Sequence, residues 1–190
     1  MESLSDQELV QEVRNGRRSA FTELMRRYQD RVYWTARRIV GDHPDADDVA
    51  QETFIRAFLN LGDFRGDSSF FTWLYRIAVN LSFNALRKKQ LVNYLRDSAI
   101  IRRFMPDPPM PDMVYQEAET EARLAHAVEE LPDKQKAVFV LRFYDGLTYE
   151  EIAKILKTSV GGLKANYFHA LKKVQQAMSD EVAPRDGTGD

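Results

Sequence analysis

Residues 147–171 read LTYEEIAKILKTSVGGLKANYFHAL, a stretch that predicts two short helices joined by a tight turn. Thr148 is followed three residues later by Glu151, the spacing of a capping box that opens a helix. Ser159 is placed to cap a second helix. Two capped helices separated by a turn of three or four residues make a helix-turn-helix, so the carboxyl-terminal part of the chain is predicted to contain one.

The second of these helices has two different faces. Leu163, Tyr167, Leu171 and Val174 fall on one face at helical spacing and predict burial. The opposite face carries polar, cationic and aromatic side chains: Lys164, Asn166, Phe168, His169, Lys172 and Lys173. No acidic residue occurs from Lys157 to Gln176, which suits contact with phosphates, and Asn, His and Lys can reach base edges in a major groove. The alternative is a helical hairpin with a solvated lysine face. The agreement of caps, turn and apolar stripe favours DNA binding.

The first 90 residues also read as helices, with stops at Gly16, Gly41 and Gly62, and no alternation typical of a strand occurs. Residues 63–89 read DFRGDSSFFTWLYRIAVNLSFNALRKK. One face of the predicted helix mixes aromatic, amide and cationic side chains, which suits unstacked bases and a phosphate backbone: Trp73, Arg76, Asn80, Asn84, Arg87 and Lys88. Phe70, Phe71, Trp73 and Tyr75 could equally form a core, and spacing alone does not decide between the two.

An acidic stretch precedes that helix. Residues 42–52 contain Asp42, Asp45, Asp47, Asp48 and Glu52 and no Lys or Arg. A divalent-metal site is conceivable, but no further ligand cluster accompanies these acids and the histidines are scattered singly. Acids at a helix start are favoured by the helix dipole in any case. A charged docking face for a basic partner is better supported, and no metal site is predicted.

The middle of the chain differs from both ends. Residues 106–111 read PDPPMP, which neither a helix nor a central strand tolerates. We therefore predict an all-α protein of two small helical domains joined by a flexible linker. The predicted boundaries are 1–90 for the first domain, 91–118 for the linker, 119–180 for the helix-turn-helix domain and 181–190 for a disordered tail.

Composition excludes several classes of protein. The chain has 190 residues, a formal net charge of −2 and no cysteine, so disulfides, thiol catalysis and cysteine-ligated metal sites are ruled out. The amino terminus lacks the pattern of a signal peptide, and no apolar run approaches the roughly 18 residues of a membrane span. The prediction is a soluble cytoplasmic protein. An enzyme acting on nucleic acid would need a metal cluster or a nucleophile–base pair. Neither is found, so no catalytic residue and no cofactor are predicted.

Two sets of motifs carry a family resemblance. DADDVAQETF at residues 45–54 and FRGDSSFFTWLYRIAVN at residues 64–80 closely resemble regions 2.2 to 2.4 of bacterial RNA polymerase sigma factors of the extracytoplasmic-function (ECF) group. Three further segments resemble region 4 of the same proteins: Leu131-Pro132, residues 147–153 and Ser159-Val160-Gly161. The resemblance implies a factor that binds core RNA polymerase, directs promoter-specific initiation and is controlled by an anti-sigma factor.

The resemblance also implies residue roles. Docking on core polymerase falls to Asp47, Asp48, Gln51 and Glu52. Recognition of the melted −10 element falls to Arg56, Asn60, Phe64, Arg65, Ser68, Ser69, Phe70, Phe71, Trp73, Arg76, Asn80 and Asn84. Recognition of the duplex −35 element falls to Ser159, Lys164, Asn166, Phe168, His169, Lys172 and Lys173.

One segment departs from the family pattern. Many members have an arginine-rich recognition helix that starts Gly-Thr-Val, whereas this chain has Gly161-Gly162-Leu163-Lys164. Lysine lacks the planar fork with which arginine reads guanine bidentately, so the family's −35 base preference does not carry over. The main rival interpretation is a dimeric helix-turn-helix repressor or activator. That alternative leaves the acidic helix and the aromatic face without a purpose.

Overall fold

The computed structural model describes residues 4–97 and 116–180, and within them it contains helices and no β-strand. Four α-helices form the amino-terminal unit: α1 (Asp6–Arg14), α2 (Arg18–Val40), α3 (His43–Leu59) and α4 (Phe70–Asp97). A 3₁₀ turn, Leu61–Asp63, lies between α3 and α4. The predicted all-α class is confirmed.

Four further helices form the carboxyl-terminal unit: α5 (Gln116–Glu129), α6 (Asp133–Phe139), α7 (Tyr149–Leu156) and α8 (Val160–Asp180). A π-helical turn, Val140–Tyr144, continues α6. The predicted tail and the centre of the predicted linker lie outside the described residues. Helix α4 continues past the predicted domain boundary at residue 90. The division into domains at 90 and 119 stays a prediction.

Local capping explains where the helices of the helix-turn-helix begin. The Thr148 hydroxyl accepts a hydrogen bond from the Glu151 amide at 3.2 Å, and the Glu151 carboxylate accepts one from the Thr148 amide at 2.8 Å. Ser159 Oγ accepts from the Gly162 amide at 3.2 Å. Lys157 has φ of 50°, the left-handed conformation that ends α7 and turns the chain towards α8. The predicted capping box, the Ser159 cap and the short turn are confirmed.

The core explains how the helices are held. In the amino-terminal unit, α2, α3 and α4 pack against one another and α1 lies on α2. In the carboxyl-terminal unit, α8 packs against α5, α6 and α7. Buried apolar side chains of both units belong to one continuous cluster that includes Leu24, Leu74, Phe139, Ile152 and Leu163. The two units therefore contact each other directly as well as being joined by the chain.

Candidate functional site

The acidic face lies on the first half of α3. Asp47, Asp48 and Gln51 are exposed, whereas Glu52 is half-buried and its carboxylate pairs with Arg56 Nε at 2.6 Å. Asp42 caps the amino terminus of the helix, and its Oδ1 accepts a hydrogen bond from the Asp45 amide at 2.8 Å. The chain therefore presents a negative surface on the first three turns of α3, and Asp42 and Asp45 at its start are the acids that the helix dipole stabilises.

Two carboxyls at the start of α3 titrate differently. Partial burial opposes ionisation of Asp42, but hydrogen bonds from the Lys89 ammonium, at 2.7 Å, and from the Asp45 amide bring its pKa below the usual value. Burial and the neighbouring Asp42 carboxylate raise the pKa of Asp45. Within residues 4–97 and 116–180, no group of three or more His, Cys, Asp or Glu side chains could hold a metal ion.

An apolar groove of about 660 Å³ adjoins the acidic face, and Gln51 belongs to both. The groove lies between α2 and α3 and is lined by Phe21, Met25, Gln29, Asp30, Tyr33, Ala50, Gln51, Phe54, Ile55, Phe58 and Leu59. Two of its side chains are unusually open to solvent for their type: Ile55 is 53% and Leu59 73% exposed. An exposed apolar surface with a polar rim is typical of a site that binds another protein.

The sequence interpretation did not identify this groove. The core stripe of α3 runs through Val49, Thr53 and Ala57. Ile55, Phe58 and Leu59 are apolar residues off that stripe, and this is the signal that could have indicated a second apolar face.

The loop before α4 is held by side chains that turn inwards. Phe64 and Phe70 are buried, and the Phe64 ring centroid lies 5.3 Å from that of Trp73 and 6.1 Å from that of Phe70. The Arg14 guanidinium donates to the carbonyl oxygens of Leu61, at 3.2 Å, and of Phe64. Arg14 fixes the loop without belonging to it, and the sequence interpretation did not single it out.

The predicted −10 residues fall into an exposed and a buried set. Exposed or partly exposed are Arg56, Asn60, Arg65, Ser68, Ser69, Asn80 and Asn84. Phe71 and Trp73 are half-buried. The Phe71 ring centroid lies 4.2 Å from that of Tyr75, with the two rings tilted by 41°, and the Arg31 guanidinium lies over the Phe71 ring. Arg76 is half-buried, and its Nη2 donates to the Lys154 carbonyl oxygen of α7 at 3.0 Å. The loop and the outer face of α4 therefore form one polar surface supported by aromatic rings.

The predicted −35 residues lie mostly on the solvent side of α8. Lys164, Phe168, His169, Lys172 and Lys173 are exposed, and Phe168 is 63% exposed despite its apolar ring. Asn166 is half-buried, and its Nδ2 donates to the Gly162 carbonyl oxygen at 3.0 Å. Leu163, Ala170 and Val174 are buried on the other side of the helix. The arrangement is that of an amphipathic helix whose outer face is cationic, with no acid in α8 before Asp180.

Comparison with known families accounts for both units. Residues 24–92 match the family described as Sigma-70 region 2, and residues 121–174 match Sigma-70, region 4. The RNA polymerase sigma-H factor of Pseudomonas aeruginosa is 35% identical, over 91% of this chain and 93% of that protein. The ECF RNA polymerase sigma-E factor of Escherichia coli is 36% identical, over 96% of this chain and 97% of that protein.

The chain belongs to the ECF RNA polymerase sigma factors. The ECF sigma factor SigW of Bacillus subtilis is 31% identical over 90% of this chain and 95% of its own. Among solved structures, CnrH in complex with the cytosolic domain of CnrY is similar with a TM-score of 0.68 and 27% identity, covering 94% of this chain and 99% of CnrH. The fold is shared with Bartonella quintana RpoE, solved in complex with the anti-sigma factor NepR, at a TM-score of 0.66 and 21% identity, covering 86% and 98%.

The matched ranges place the ECF sigma motifs on the surfaces described above. The region 2 match contains the acidic face, the aromatic loop and the lining of the apolar groove except Phe21, and the region 4 match contains α7 and α8 up to Val174. Helix α1 and Arg14 lie before the region 2 match. No helix among the described residues is long and apolar enough to cross a membrane.

Proposed function

We propose that this ECF sigma factor binds core RNA polymerase in the cytoplasm and directs it to promoters by reading a duplex −35 element and a melted −10 element. The polymerase supplies all of the chemistry, so the sigma factor itself is not an enzyme. The proposed units are residues 1–90 for core docking and the −10 element, and residues 119–180 for the −35 element.

The observation that carries the docking proposal is the junction of the acidic face with the apolar groove at Gln51. A stable protein interface combines a desolvated apolar centre with a polar rim that fixes orientation. Ile55, Phe58 and Leu59 supply the apolar centre, and Asp47 and Asp48 lie on the acidic side. The partner that fits this surface is a polymerase helix with apolar and basic side chains. Electrostatic complementarity of that kind raises the rate of association as well as its specificity.

The −10 proposal rests on exposed amides and a supported loop. Asn80 and Asn84 project from α4 one turn apart and can hydrogen-bond the edges of unstacked bases. The buried rings of Phe64 and Phe70 hold the loop that carries Arg65 and Ser68. These two phenylalanines contribute by fixing the loop, while the exposed polar residues contact the strand.

The −35 proposal rests on α8. Its outer face carries Lys164, His169, Lys172 and Lys173 without an acid nearby in the helix, which favours contact with phosphates. Phe168 offers an apolar surface that suits a thymine methyl group in a major groove. Ser159, at the cap, and Asn166 complete the proposed set.

Control by an anti-sigma factor is also part of the proposal. The structure of CnrH, which covers 94% of this chain, was solved with the cytosolic domain of CnrY bound. An apolar groove that is open in the free chain gives such a regulator a surface on which it competes with polymerase.

Run-off transcription with purified core polymerase, with and without this protein, tests the proposal. We expect transcripts with defined start sites only when the protein is present. Tight, specific binding of duplex DNA by the isolated chain, together with failure to co-purify with core polymerase, would support a dimeric repressor instead.

A further inference from the structure

Helix α1 lies outside both matched regions, yet it reaches the loop before α4, residues 64–69, at both ends of that loop. The last residue of α1, Arg14, reaches the start of the loop, where its Nη2 donates to the carbonyl oxygens of Leu61, at 3.2 Å, and of Phe64. The Gly62 carbonyl oxygen lies 3.5 Å from the same nitrogen. Three carbonyl oxygens of one turn therefore converge on a single cation from a distant part of the sequence.

The chemistry of a guanidinium suits this turn. Carbonyl oxygens that follow the end of a helix carry partial negative charge and attract a cation. Arginine offers five N–H donors in a rigid planar fork, whereas lysine offers a single point of charge. The side chains of Leu61 and Phe64 are buried, so the core holds the start of the loop from inside and Arg14 holds it from outside.

The opposite end of α1 reaches the end of the loop through Tyr28 of α2. The Tyr28 hydroxyl donates to the Asp6 carboxylate, and its ring centroid lies 5.8 Å from that of Phe70 and 6.1 Å from that of Phe71. Burial and the Asp6 carboxylate raise the pKa of Tyr28, so the hydroxyl keeps its proton and remains a donor at neutral pH. Arg27 Nη1 pairs with the same carboxylate at 3.0 Å. Asp6 is therefore fixed against α2 and supports the ring that packs on the first residues of α4.

Helix α1 is itself firmly placed. The Ser5 amide donates to the Glu8 carboxylate at 2.7 Å, and Ser5 Oγ accepts from the Glu8 amide at 3.3 Å, which completes a capping box. Leu9 and Val10 are each 3% exposed and belong to the core. The nine residues of α1 separate its two ends by roughly 12 Å, at about 1.5 Å per residue. A short, capped and packed helix thus connects the two ends of the loop.

We propose that α1 is a brace for the loop before α4, and that Arg14 and Asp6 are positioning residues for the capture of an unstacked −10 base. The brace rests on the proposed function, since the loop carries Arg65, Ser68 and Ser69 of the proposed −10 surface. Arg14 acts at the start of the loop and Asp6 at its end, and neither contacts DNA. Without the brace the loop adopts several conformations, and affinity for the base falls with the fraction of molecules that hold the competent one.

The position of the loop can be measured in the free chain. The chain has two tryptophans, so Trp34→Phe leaves only Trp73, whose ring centroid lies 5.3 Å from that of Phe64. We expect Arg14→Ala in this background to increase quenching of Trp73 by acrylamide and to shift its emission to the red. Arg14→Lys should give an intermediate result, because an ammonium binds fewer of the carbonyl oxygens. Arg18→Ala removes a nearby exposed cation, and as the matched control it should change neither signal.

Binding by the holoenzyme measures the consequence for recognition. A contact with an unstacked base is worth about five- to 150-fold in affinity, so Arg14→Ala should weaken binding to a template with a pre-melted −10 bubble by about fivefold or more. Capture of closed duplex should stay unchanged. Tyr28→Phe keeps the ring on Phe70 and loses only the bond to Asp6, so its loss on the pre-melted template should be about two- to fivefold. Permanganate reactivity of the −10 thymines at saturating holoenzyme should fall in Arg14→Ala.

A double-mutant cycle shows whether Arg14 acts through the loop. If it does, Arg65→Ala costs little once Arg14 is replaced, and the loss in Arg14→Ala/Arg65→Ala on the pre-melted template is smaller than the product of the two single losses. A loss equal to that product would mean that Arg14 contacts DNA independently of the loop, and it would overturn the brace.

Two other results would also overturn the brace. One is an equal proportional loss on closed duplex and on the pre-melted template, which a less stable fold would cause. The other is unchanged quenching of Trp73 in Arg14→Ala. Arg14→Lys and Tyr28→Phe decide the question if Arg14→Ala does not fold. Absence of promoter-specific run-off by the unchanged chain would overturn the proposed function instead, and quenching of Trp73 would still show whether α1 holds the loop.

Discussion

Helices α4 and α8 are both long, and both carry residues proposed to contact DNA, but they divide their side chains differently. In α8 the apolar residues Leu163, Ala170 and Val174 are buried on one side, and the cationic residues lie on the other. In α4 and the loop before it, buried Phe64 and Phe70 come from the same short segment as exposed Arg65 and Ser69. A DNA-contacting face on the side of a helix opposite the core can be recognised from sequence periodicity. A surface whose exposed residues alternate with core residues in one loop cannot.

The difference has a functional consequence. A helix that enters a duplex groove needs only a rigid body and a polar outer face. Capturing an unstacked base needs a loop held in one conformation, and the rings of Phe64, Phe70 and Trp73 provide the support for that loop. The aromatic residues of the amino-terminal unit therefore stabilise the fold directly. They contribute to recognition indirectly, by fixing the loop.

The largest difference between the two regions is expected in the free energy of unfolding, when a phenylalanine is replaced by alanine at a buried and at an exposed position. Phe70→Ala should lower the free energy of unfolding by about 3–5 kcal/mol, because Phe70 is only 2% exposed. Phe168→Ala removes the same ring from the 63% exposed position on α8 and should change stability by no more than about 0.5 kcal/mol. Urea denaturation followed by circular dichroism measures both. Equal losses of unfolding free energy in the two variants would contradict the distinction between a loop held by core residues and an exposed helix face.

A second test asks whether the acidic face is a docking surface or a solvated one. The double change Asp48→Lys/Glu52→Lys should weaken binding to core polymerase by about tenfold or more, since it reverses charge across an interface. Stability should stay within about 0.5 kcal/mol, because Asp48 is exposed and Glu52 is not part of the core.

The control for that test is Glu121→Lys/Glu130→Lys, which makes the same change in net charge at exposed sites of the carboxyl-terminal unit. It should leave binding to core polymerase unaltered. If both double variants compete equally well for core polymerase, as measured by competition with labelled protein, the docking assignment is wrong.

Features set by neighbouring residues could be predicted from the sequence. The Thr148–Glu151 capping box, the Ser159 cap and the apolar stripe of α8 depend on spacings of a few residues, and all three are confirmed. The resemblance likewise identified the family, because two independent motif sets occur in the right order.

Features that join distant parts of the chain could not be predicted. Arg14 holds a loop about fifty residues away by donating hydrogen bonds to backbone carbonyl oxygens. Every residue has such an oxygen, so the sequence does not indicate which ones accept. The Thr35 hydroxyl donates a hydrogen bond to Asp145, which lies 110 positions away in the sequence. A single threonine in a helix does not indicate which residue it will contact. Ile55 and Leu59 lie off the core stripe of α3, but the pattern alone does not tell whether this second apolar face is covered, since that depends on how α2 and α4 pack.

The most direct test of the central claim compares Lys164→Ala with Asn80→Ala in the holoenzyme. Filter binding on closed duplex and on a template with a pre-melted −10 bubble gives the affinities, and permanganate footprinting reports the bubble. Lys164→Ala should weaken duplex binding and lower the salt slope by about 1, with little effect on the pre-melted template. Asn80→Ala should spare duplex capture and cost on the order of 1–3 kcal/mol in binding the single-stranded segment. If both variants lose duplex and bubble binding in the same proportion, the two surfaces do not read two kinds of DNA.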